Sequence, residues 1–208
     1  MSAHLKTSTQ QPNPEEYVPA KPPQIARLRL VFGYLCIFGA FFVNRGDLRW
    51  WALSLVALGG FVRVWSAGSL VKTKELSTEG PYAISRNPLY VGTFIAGLGL
   101  TLFVHSAALF VFFFVTFFVS YRAQILWEEK VLRREHSETF PGYCQKVARF
   151  FPTRWSGNAL KGSFSFGRLV KNKELAYQIF WIVMVCCLMA QAFLQSQHVG
   201  IDLRDLLP

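Results

Sequence analysis

Residues 89–121 read LYVGTFIAGLGLTLFVHSAALFVFFFVTFFVSY, two apolar runs that meet at His105 and Ser106. No Asp, Glu, Lys or Arg interrupts either run, and neither run alternates as a half-buried strand would. Segments this apolar are typical of lipid-embedded helices, and two intervening residues leave room only for a tight turn. The stretch therefore predicts a helical hairpin that crosses a membrane twice.

Three more apolar runs lie outside this hairpin. Together the five runs cover residues 28–43, 50–71, 89–104, 107–121 and 176–194. A helix needs about 20 apolar residues to cross a bilayer, so the shorter runs need their flanking residues to complete a span. The sequence predicts an all-α integral membrane bundle of about five transmembrane helices, with a cytosolic helical segment before the last span.

The composition supports a membrane protein and argues against nucleic-acid binding. Only 16% of the 208 residues are charged, against about 25% in a typical soluble protein. The net charge is +10, but the basic residues flank the apolar runs and do not line one face of a soluble domain. The four histidines and four cysteines lack ligand spacing, so no metal site is predicted.

The distribution of Lys and Arg predicts the orientation in the membrane. Residues 1–24 are rich in Pro, Gln, Ser and Thr and are expected to form a disordered cytosolic tail, followed by a single membrane domain over 25–208. Of the 22 Lys and Arg residues, eighteen lie in residues 1–29, in the loop 72–88 and in the segment 122–173, and only three lie in the segments on the other side of the spans. Because basic loops stay on the cytosolic side, the N-terminus is predicted inside and the C-terminus on the opposite side.

The loop before the hairpin, KTKELSTEGPYAISRNPLYVG (72–92), carries two turn signals. Gly80-Pro81 and Asn87-Pro88 each resist a continuous helix. Pro88 suits the first turn of the next helix, whose free N–H groups and positive dipole end can hold a carboxylate. An ordinary capped helix start is the alternative interpretation.

Two adjacent carboxylates, Glu128 and Glu129, follow the hairpin on a helix that continues past Tyr121. One interpretation is a solvated first turn in which Glu129 pairs with Arg133 at i+4. The other is a carboxylate that holds a ribose, an amino group or a positive charge. Because a hairpin returns to the side from which it starts, we expect both glutamates near Pro88 at the cytosolic face. The helix is expected to break at Phe140-Pro141-Gly142.

Three residues inside the spans also stand out. Gly97 and Gly99 indicate close helix packing, because no strand precedes them and a Rossmann-type loop is excluded. Arg63 is costly within a membrane unless it snorkels to the interface or faces a polar cavity. Both interpretations of Arg63 stay open on the sequence alone.

Taken in order, these segments resemble a known group of enzymes. A span ending RVWSAGSL is followed by GPYAISRNPLYVG, the tight hairpin, and EEKVLRREHSETFPGYCQKVARFFP. This pattern is similar to the isoprenylcysteine carboxyl methyltransferase and phospholipid methyltransferase superfamily over its core, residues 63–152. The resemblance implies methyl transfer from S-adenosylmethionine, which would bind between the loop before the hairpin and the glutamate after it.

The same resemblance implies a cofactor site at matching positions. These are Lys74, Glu75, Leu76, Ser77, Tyr82, Arg86, Asn87, Pro88, Leu89, Tyr90, Gly97, Gly99, Glu128 and Glu129. Asn87 replaces the histidine of the family's RHPxY motif and cannot take a proton near neutral pH, which argues against a base there. Gln124 replaces an arginine that faces the carboxylate substrate in isoprenylcysteine enzymes, so the resemblance leaves a carboxylate acceptor in doubt.

The sequence thus predicts a membrane methyltransferase whose lipophilic or lipidated acceptor enters from the bilayer, with Arg63 and Arg149 as candidates for positioning it. The acceptor is an S-alkylated cysteine carboxylate, a phospholipid amine or a thiol. An NADPH-dependent reductase on a related scaffold and a non-enzymatic membrane protein are the alternatives from other classes.

Overall fold

The computed structural model describes residues 21–44, 49–71, 76–152 and 157–199, and helices dominate these ranges. The α-helices are α1 (Gln24–Arg27), α2 (Arg29–Val43), α3 (Leu53–Ser69), α4 (Pro88–Phe103), α5 (Ala107–Glu135), α6 (Phe140–Lys146), α7 (Phe166–Lys171) and α8 (Glu174–Val199). Short 3₁₀ turns lie at Trp50–Ala52, Gly80–Ala83 and Gly157–Leu160. Within the described ranges the extended pairing is one bridge, between Ser85 and Ala148. The predicted all-α class is confirmed.

Four stretches have the length and hydropathy of membrane spans: Gln24–Val43, Trp50–Ser69, Ala107–Glu135 and Glu174–Gln195. The fifth predicted span, α4, is apolar but only 16 residues long, which gives it a rise of about 24 Å. Large apolar side chains such as Phe38, Phe42 and Ile182 point away from the bundle and are more than half exposed. An apolar outer surface on this scale indicates contact with lipid.

Glycines bring α3 and α4 into close contact. A Cβ on Gly59 would lie 2.4 Å from the backbone nitrogen of Ala96, and a Cβ on Gly92 would lie 2.8 Å from the carbonyl oxygen of Gly59. A Cβ on Gly99 would lie 2.7 Å from the nitrogen of Val56. Small residues allow this backbone approach, which is a common way to pack helices where lipid removes the hydrophobic drive.

The hairpin between α4 and α5 turns as the sequence predicts. His105 adopts a positive φ of 55°, and the Ser106 side chain accepts a hydrogen bond from the backbone nitrogen of Leu109, capping α5. The 29 residues of α5 rise about 43 Å, more than the hydrocarbon thickness of about 30 Å. The half of α5 that follows Tyr121 therefore projects from the membrane on the side where α4 begins.

The predicted break at Phe140-Pro141-Gly142 is wrong in position. α5 ends earlier, at Glu135, and Phe140 begins α6 with Pro141 in its first turn. A proline is tolerated in the first turn of a helix because its missing N–H would have no partner there. α8 also extends beyond the predicted 176–194 in both directions, and α1 begins inside the predicted tail. Residues 1–20 lie outside the described ranges.

Candidate functional site

The start of α4 and the exit of α5 meet at Glu128. The Tyr90 hydroxyl, in the first turn of α4, donates to Glu128 Oε1 at 2.6 Å. One turn before Glu128, Gln124 Nε2 donates to the same oxygen at 2.7 Å. Gln124 Oε1 accepts from Arg29 Nη1 of α2, also at 2.7 Å. A chain of hydrogen bonds thus links α2, α5 and α4 around one carboxylate.

Glu129, one residue further, faces a second cluster with two arginines. Arg149 donates to it through Nε and Nη2, at 3.0 and 2.9 Å, and Arg86 Nη1 lies 3.0 Å from Oε1. Glu129 is buried, whereas the Arg149 side chain is 52% exposed. The sequence had suggested a pairing with Arg133; the structure pairs Glu129 with long-range partners instead.

The segment that supplies Arg149 binds directly to the loop before α4. The backbone nitrogen of Arg86 donates to the Ala148 carbonyl at 2.9 Å, and Asn87 Nδ2 donates to the Arg149 carbonyl at 2.8 Å. The Ser85 hydroxyl donates to the Phe150 carbonyl at 2.8 Å. Asn87 is therefore engaged as a donor to the backbone, which is consistent with its inability to act as a base.

α6 contacts the 3₁₀ turn that contains Tyr82. The buried hydroxyl of Tyr143 donates to the Tyr82 carbonyl at 2.7 Å. Burial raises the pKa of both phenols above the ordinary tyrosine range. Both stay protonated at physiological pH, so the contact is maintained as a neutral hydrogen bond.

Arg63 is satisfied within the protein. Its Nε and Nη2 bind Glu174 at 2.9 and 2.8 Å, a bidentate pair, and its Cζ lies 3.7 Å from the ring centroid of Tyr177. Arg63 also donates to the Thr93 hydroxyl of α4. A guanidinium with these partners holds α3, α4 and α8 together.

These observations can be set beside known proteins. The family model for phospholipid methyltransferases matches residues 28–139, more than half of the chain. The chain belongs to the phospholipid methyltransferase family. It is therefore an integral membrane protein of a methyltransferase family, and the match spans α2 to α5 with the loop and both glutamates.

Two curated relatives are similar to part of the chain. The nickel-cobalt-cadmium resistance protein NccN of Alcaligenes xylosoxydans xylosoxydans is 36% identical over 92 residues, 43% of each chain. The cobalt-zinc-cadmium resistance protein CzcN of Cupriavidus metallidurans is 33% identical over 99 residues, 47% of this chain and 45% of the relative. The matched part thus spans less than half the length of either relative. No solved structure matches the chain.

The other positions that the family pattern assigns to the cofactor site lie in the loop before α4 and along α4. Pro88 and Leu89 begin α4, and Ser77 Oγ accepts from the backbone nitrogen of Val71 at 3.2 Å. Leu76 lies partly buried in the same loop, while Lys74 and Glu75 fall outside the described residues. Gly97 and Gly99 lie further along α4.

Gly97 and Gly99 contact neighbouring helices. A Cβ on Gly97 would lie 2.3 Å from the Phe113 ring of α5. Seven residues separate Tyr90 from Gly97, about 10 Å along the helix. Their close packing agrees with the interpretation drawn from spacing, and both glycines lie deeper in the bundle than Glu128.

Two cavities open on either side of Phe117 and Tyr121 in α5. The larger, about 360 Å³, lies among α2, α4, α5 and α8 and is bordered by Arg29, Thr93 and Tyr177. The smaller, about 240 Å³, is bordered by Arg122 and Arg149. Within the described ranges, no group of three or more His, Cys, Asp or Glu side chains is arranged to hold a metal ion.

Sequence reasoning missed two residues of this family member's site region. Arg29 reaches Gln124 across 95 positions of sequence, and Glu174 reaches Arg63 across 111. Neither belongs to a motif, and the basic residues near position 29 read as membrane flanks. An acidic residue at the start of an apolar run, such as Glu174, was the one available signal, since an intramembrane arginine needs a counter-ion.

Proposed function

We propose that this protein is an S-adenosylmethionine-dependent methyltransferase that methylates a lipophilic acceptor at the cytosolic face of the membrane. The observation that carries the proposal is the 2.6 Å contact between Tyr90, where α4 begins, and Glu128, where α5 leaves the bundle. Membership in the phospholipid methyltransferase family supports the reaction class.

The residues around Glu128 suit this cofactor. Its Oε1 accepts from two neutral donors, the Tyr90 hydroxyl and the Gln124 amide, and no guanidinium or ammonium binds it directly among the described residues. Neutral donors leave the charge of a carboxylate without a counter-ion, so a cationic ligand would be attracted to it. S-adenosylmethionine carries a sulfonium and an ammonium group, and it supplies an activated methyl group when bound.

Aromatic side chains complete the proposed pocket. Tyr121 stacks on Phe117 with ring centroids 4.2 Å apart, and it meets Tyr90 edge to face at 5.2 Å. Ring faces attract cations such as a sulfonium. The rings also exclude water, which favours an in-line displacement between an aqueous cofactor and an apolar acceptor. The protein's contribution is to align the two reactants; no covalent enzyme intermediate is needed.

Orientation is part of the proposal. We propose that this site and the N-terminus lie on the cytosolic side and the C-terminus on the opposite side, because the segments before α4 and after α5 are basic. The cofactor then enters from the cytosol, and the acceptor enters from the bilayer between helices.

Affinity for the cofactor tests the assignment. Wild-type protein in lipid nanodiscs is titrated with S-adenosylmethionine by calorimetry, beside Glu128→Gln and the matched control Glu135→Gln, an exposed residue at the end of the same helix. We expect Glu128→Gln to lose at least a hundredfold in affinity and Glu135→Gln to match wild type. If Glu128→Gln bound S-adenosylmethionine as tightly as wild type, Glu128 would not be part of the cofactor site.

Two other results of the titration would contradict the proposed function and support one of the alternatives. Affinity for NADPH without affinity for S-adenosylmethionine would support the reductase, and affinity for neither would support a non-enzymatic protein. Incubation of the active protein with methyl-labelled cofactor and native membranes then shows whether label enters lipid, protein or a volatile product.

The relatives suggest a second candidate, a contribution to metal-ion tolerance. Both are named as resistance proteins for metals that include cobalt and cadmium, and each is similar to this chain over somewhat less than half of its length. We expect cells that express the wild-type chain to tolerate cobalt or cadmium better than cells that express Glu128→Gln. Equal tolerance in the two strains would separate any such role from methyl transfer.

A further inference from the structure

The larger cavity has one polar end and one apolar end. Arg29 and Thr93 border it near the start of α2 and α4, and Ile37 and Leu100 border it two turns further along the same helices. Eight residues from Arg29 to Ile37 correspond to about 12 Å. Most of the lining is carbon, from rings such as Phe113 and Phe180. The cavity therefore has the shape of a site for an amphiphile.

Arg29 is the cation at the polar end of this cavity. Its Nη1 donates to the Ala26 carbonyl and to Gln124 Oε1, both at 2.7 Å. Within the part of the chain that the structure describes, Nε and Nη2 of Arg29 donate to no protein acceptor. Arg29 is half-buried, so these donors are available to a ligand in the cavity.

The charges around this end favour an anionic ligand once the cofactor is bound. Arg63 and Glu174 neutralise each other as a bidentate pair. The charges of Arg29 and Glu128, connected through Gln124, also sum to zero. Bound S-adenosylmethionine would add one net positive charge to this region, and one anionic group on the acceptor would neutralise it. The low dielectric constant of the cavity strengthens the preference for an anionic acceptor.

We infer that Arg29 selects the head group of the acceptor: the cavity holds an apolar molecule with one anionic carboxylate or thiolate head, and Arg29 excludes a cationic amine head. This inference rests on the proposed function. In the transfer, the bond between the methyl carbon and the sulfonium sulfur breaks as a carbon–oxygen or carbon–sulfur bond forms. The products are a neutral thioether and a neutral ester or thioether.

An anionic nucleophile also agrees with the hydrogen-bonding state of the site. No proton has to be removed from the acceptor, and Asn87, which donates to the Arg149 carbonyl, cannot remove one. A protonated amine would have to lose a proton before it attacked. The arrangement around Arg29 therefore fits a carboxylate or thiolate better than the amine of a phospholipid head group.

Binding of matched amphiphiles tests this inference without requiring turnover. Trp181 borders the cavity, so a brominated chain inside it quenches Trp181 fluorescence. Protein in vesicles with S-adenosylmethionine is titrated with 10-bromodecanoate and with 10-bromodecylamine, and Trp181→Phe measures quenching by probe in the surrounding lipid. We expect saturable quenching of Trp181 by the carboxylate, and for the amine only the unsaturated quenching that lipid partitioning gives.

Variants connect the result to Arg29 and to the cavity. Arg29→Gln should weaken 10-bromodecanoate at least tenfold, since a charged hydrogen bond contributes about 1.5–3 kcal/mol, while Arg27→Gln, an exposed neighbour, should not. Gly33 borders the cavity, and a Cβ there meets no atom within 4 Å. Gly33→Leu should therefore fill the cavity and abolish saturation, with Gly142→Leu, equally unobstructed, as its control.

Several results would overturn the inference. These are equal binding of amine and carboxylate, unchanged binding by Arg29→Gln, an equal loss in Arg29→Gln and Arg27→Gln, or full saturation in Gly33→Leu. Calorimetric affinity for S-adenosylmethionine is measured on the same samples. Loss of selectivity with cofactor affinity intact refutes only the role of Arg29, whereas absence of cofactor affinity in wild type refutes the proposed function.

Discussion

Glu128 and Glu129 are neighbours on α5 but have different partners. Glu128 accepts from a phenol and an amide at 2.6 and 2.7 Å, whereas Glu129 binds the guanidinium groups of Arg86 and Arg149. The charge of Glu129 is balanced inside the protein; that of Glu128 is hydrogen-bonded but has no directly bound cation among the described residues. On this difference rests the proposal that Glu129 stabilises the fold while Glu128 binds a cationic ligand.

Glu174 is a third carboxylate that can be compared with these two; it is buried and forms a bidentate pair with Arg63. Glu174→Gln should cause the largest loss of stability, about 4 kcal/mol, because it leaves a guanidinium without its counter-ion. This corresponds to a fall of about 10 °C in the midpoint of thermal unfolding for a chain of this size. The midpoint is measured in detergent; a fall under about 2 °C would show that the pair does not hold α8.

Glu129→Gln should come second, with a loss of about 3 kcal/mol, because the Arg86 side chain is only 11% exposed, whereas Arg149 is half exposed and keeps its hydration. Thermal unfolding in detergent checks this, with Glu135→Gln expected within about 0.5 kcal/mol of wild type. If Glu128→Gln destabilised the fold as much as Glu129→Gln, the two carboxylates would not have separate roles.

Tyr90→Phe tests the proposed role of Glu128 in cofactor binding. It removes one neutral donor from that carboxylate, and we expect about a tenfold loss of affinity for S-adenosylmethionine, since a hydrogen bond to a charged group contributes about 1.5–3 kcal/mol. The unfolding midpoint should change little. Calorimetric titration gives the affinity; unchanged affinity would mean that Tyr90 only packs against α5.

The smallest effect is expected at Tyr143, whose hydroxyl donates to a backbone carbonyl and not to either glutamate. Tyr143→Phe removes the donor to the Tyr82 carbonyl and should cost about 1 kcal/mol at neutral pH. Burial raises the pKa of Tyr143 in the folded state, so its stabilising contribution is complete below the unfolded value of about 10 and is lost as pH rises through the folded value.

The difference in unfolding midpoint between wild type and Tyr143→Phe should therefore be smaller at high pH than at neutral pH. Unfolding midpoints at pH 8 and pH 11 measure this, together with the phenolate absorbance of both proteins. A difference that widens with pH would contradict the assigned direction of the pKa shift.

The sequence predicted those parts of the molecule that local pattern determines. The apolar runs set the helices because every backbone group in lipid must be bonded within its own segment. The hairpin at His105 and Ser106, the start of α4 at Pro88 and the approach of Glu128 to that start all follow from chain geometry. Each was predictable without knowledge of any partner far away in sequence.

The partners of the charged residues were not predictable in the same way. Arg63 offered two interpretations, and its pairing with Glu174 depends on how α8 docks against α3. The guanidinium beside Gln124 comes from Arg29 on another helix, where the sequence pointed to a missing arginine. Pairings between distant helices depend on packing angles and rotation, which hydrophobic periodicity leaves open.

Photochemical labelling tests the central claim most directly. Purified protein in nanodiscs is irradiated with radiolabelled S-adenosylmethionine, and the labelled peptides are identified by mass spectrometry. We predict label in the peptides that contain Tyr82 to Tyr90 and Tyr121 to Glu129, with competition by unlabelled cofactor. Competable label confined to α8, or spread over peptides remote from both stretches, would contradict a cofactor site between Tyr90 and Glu128.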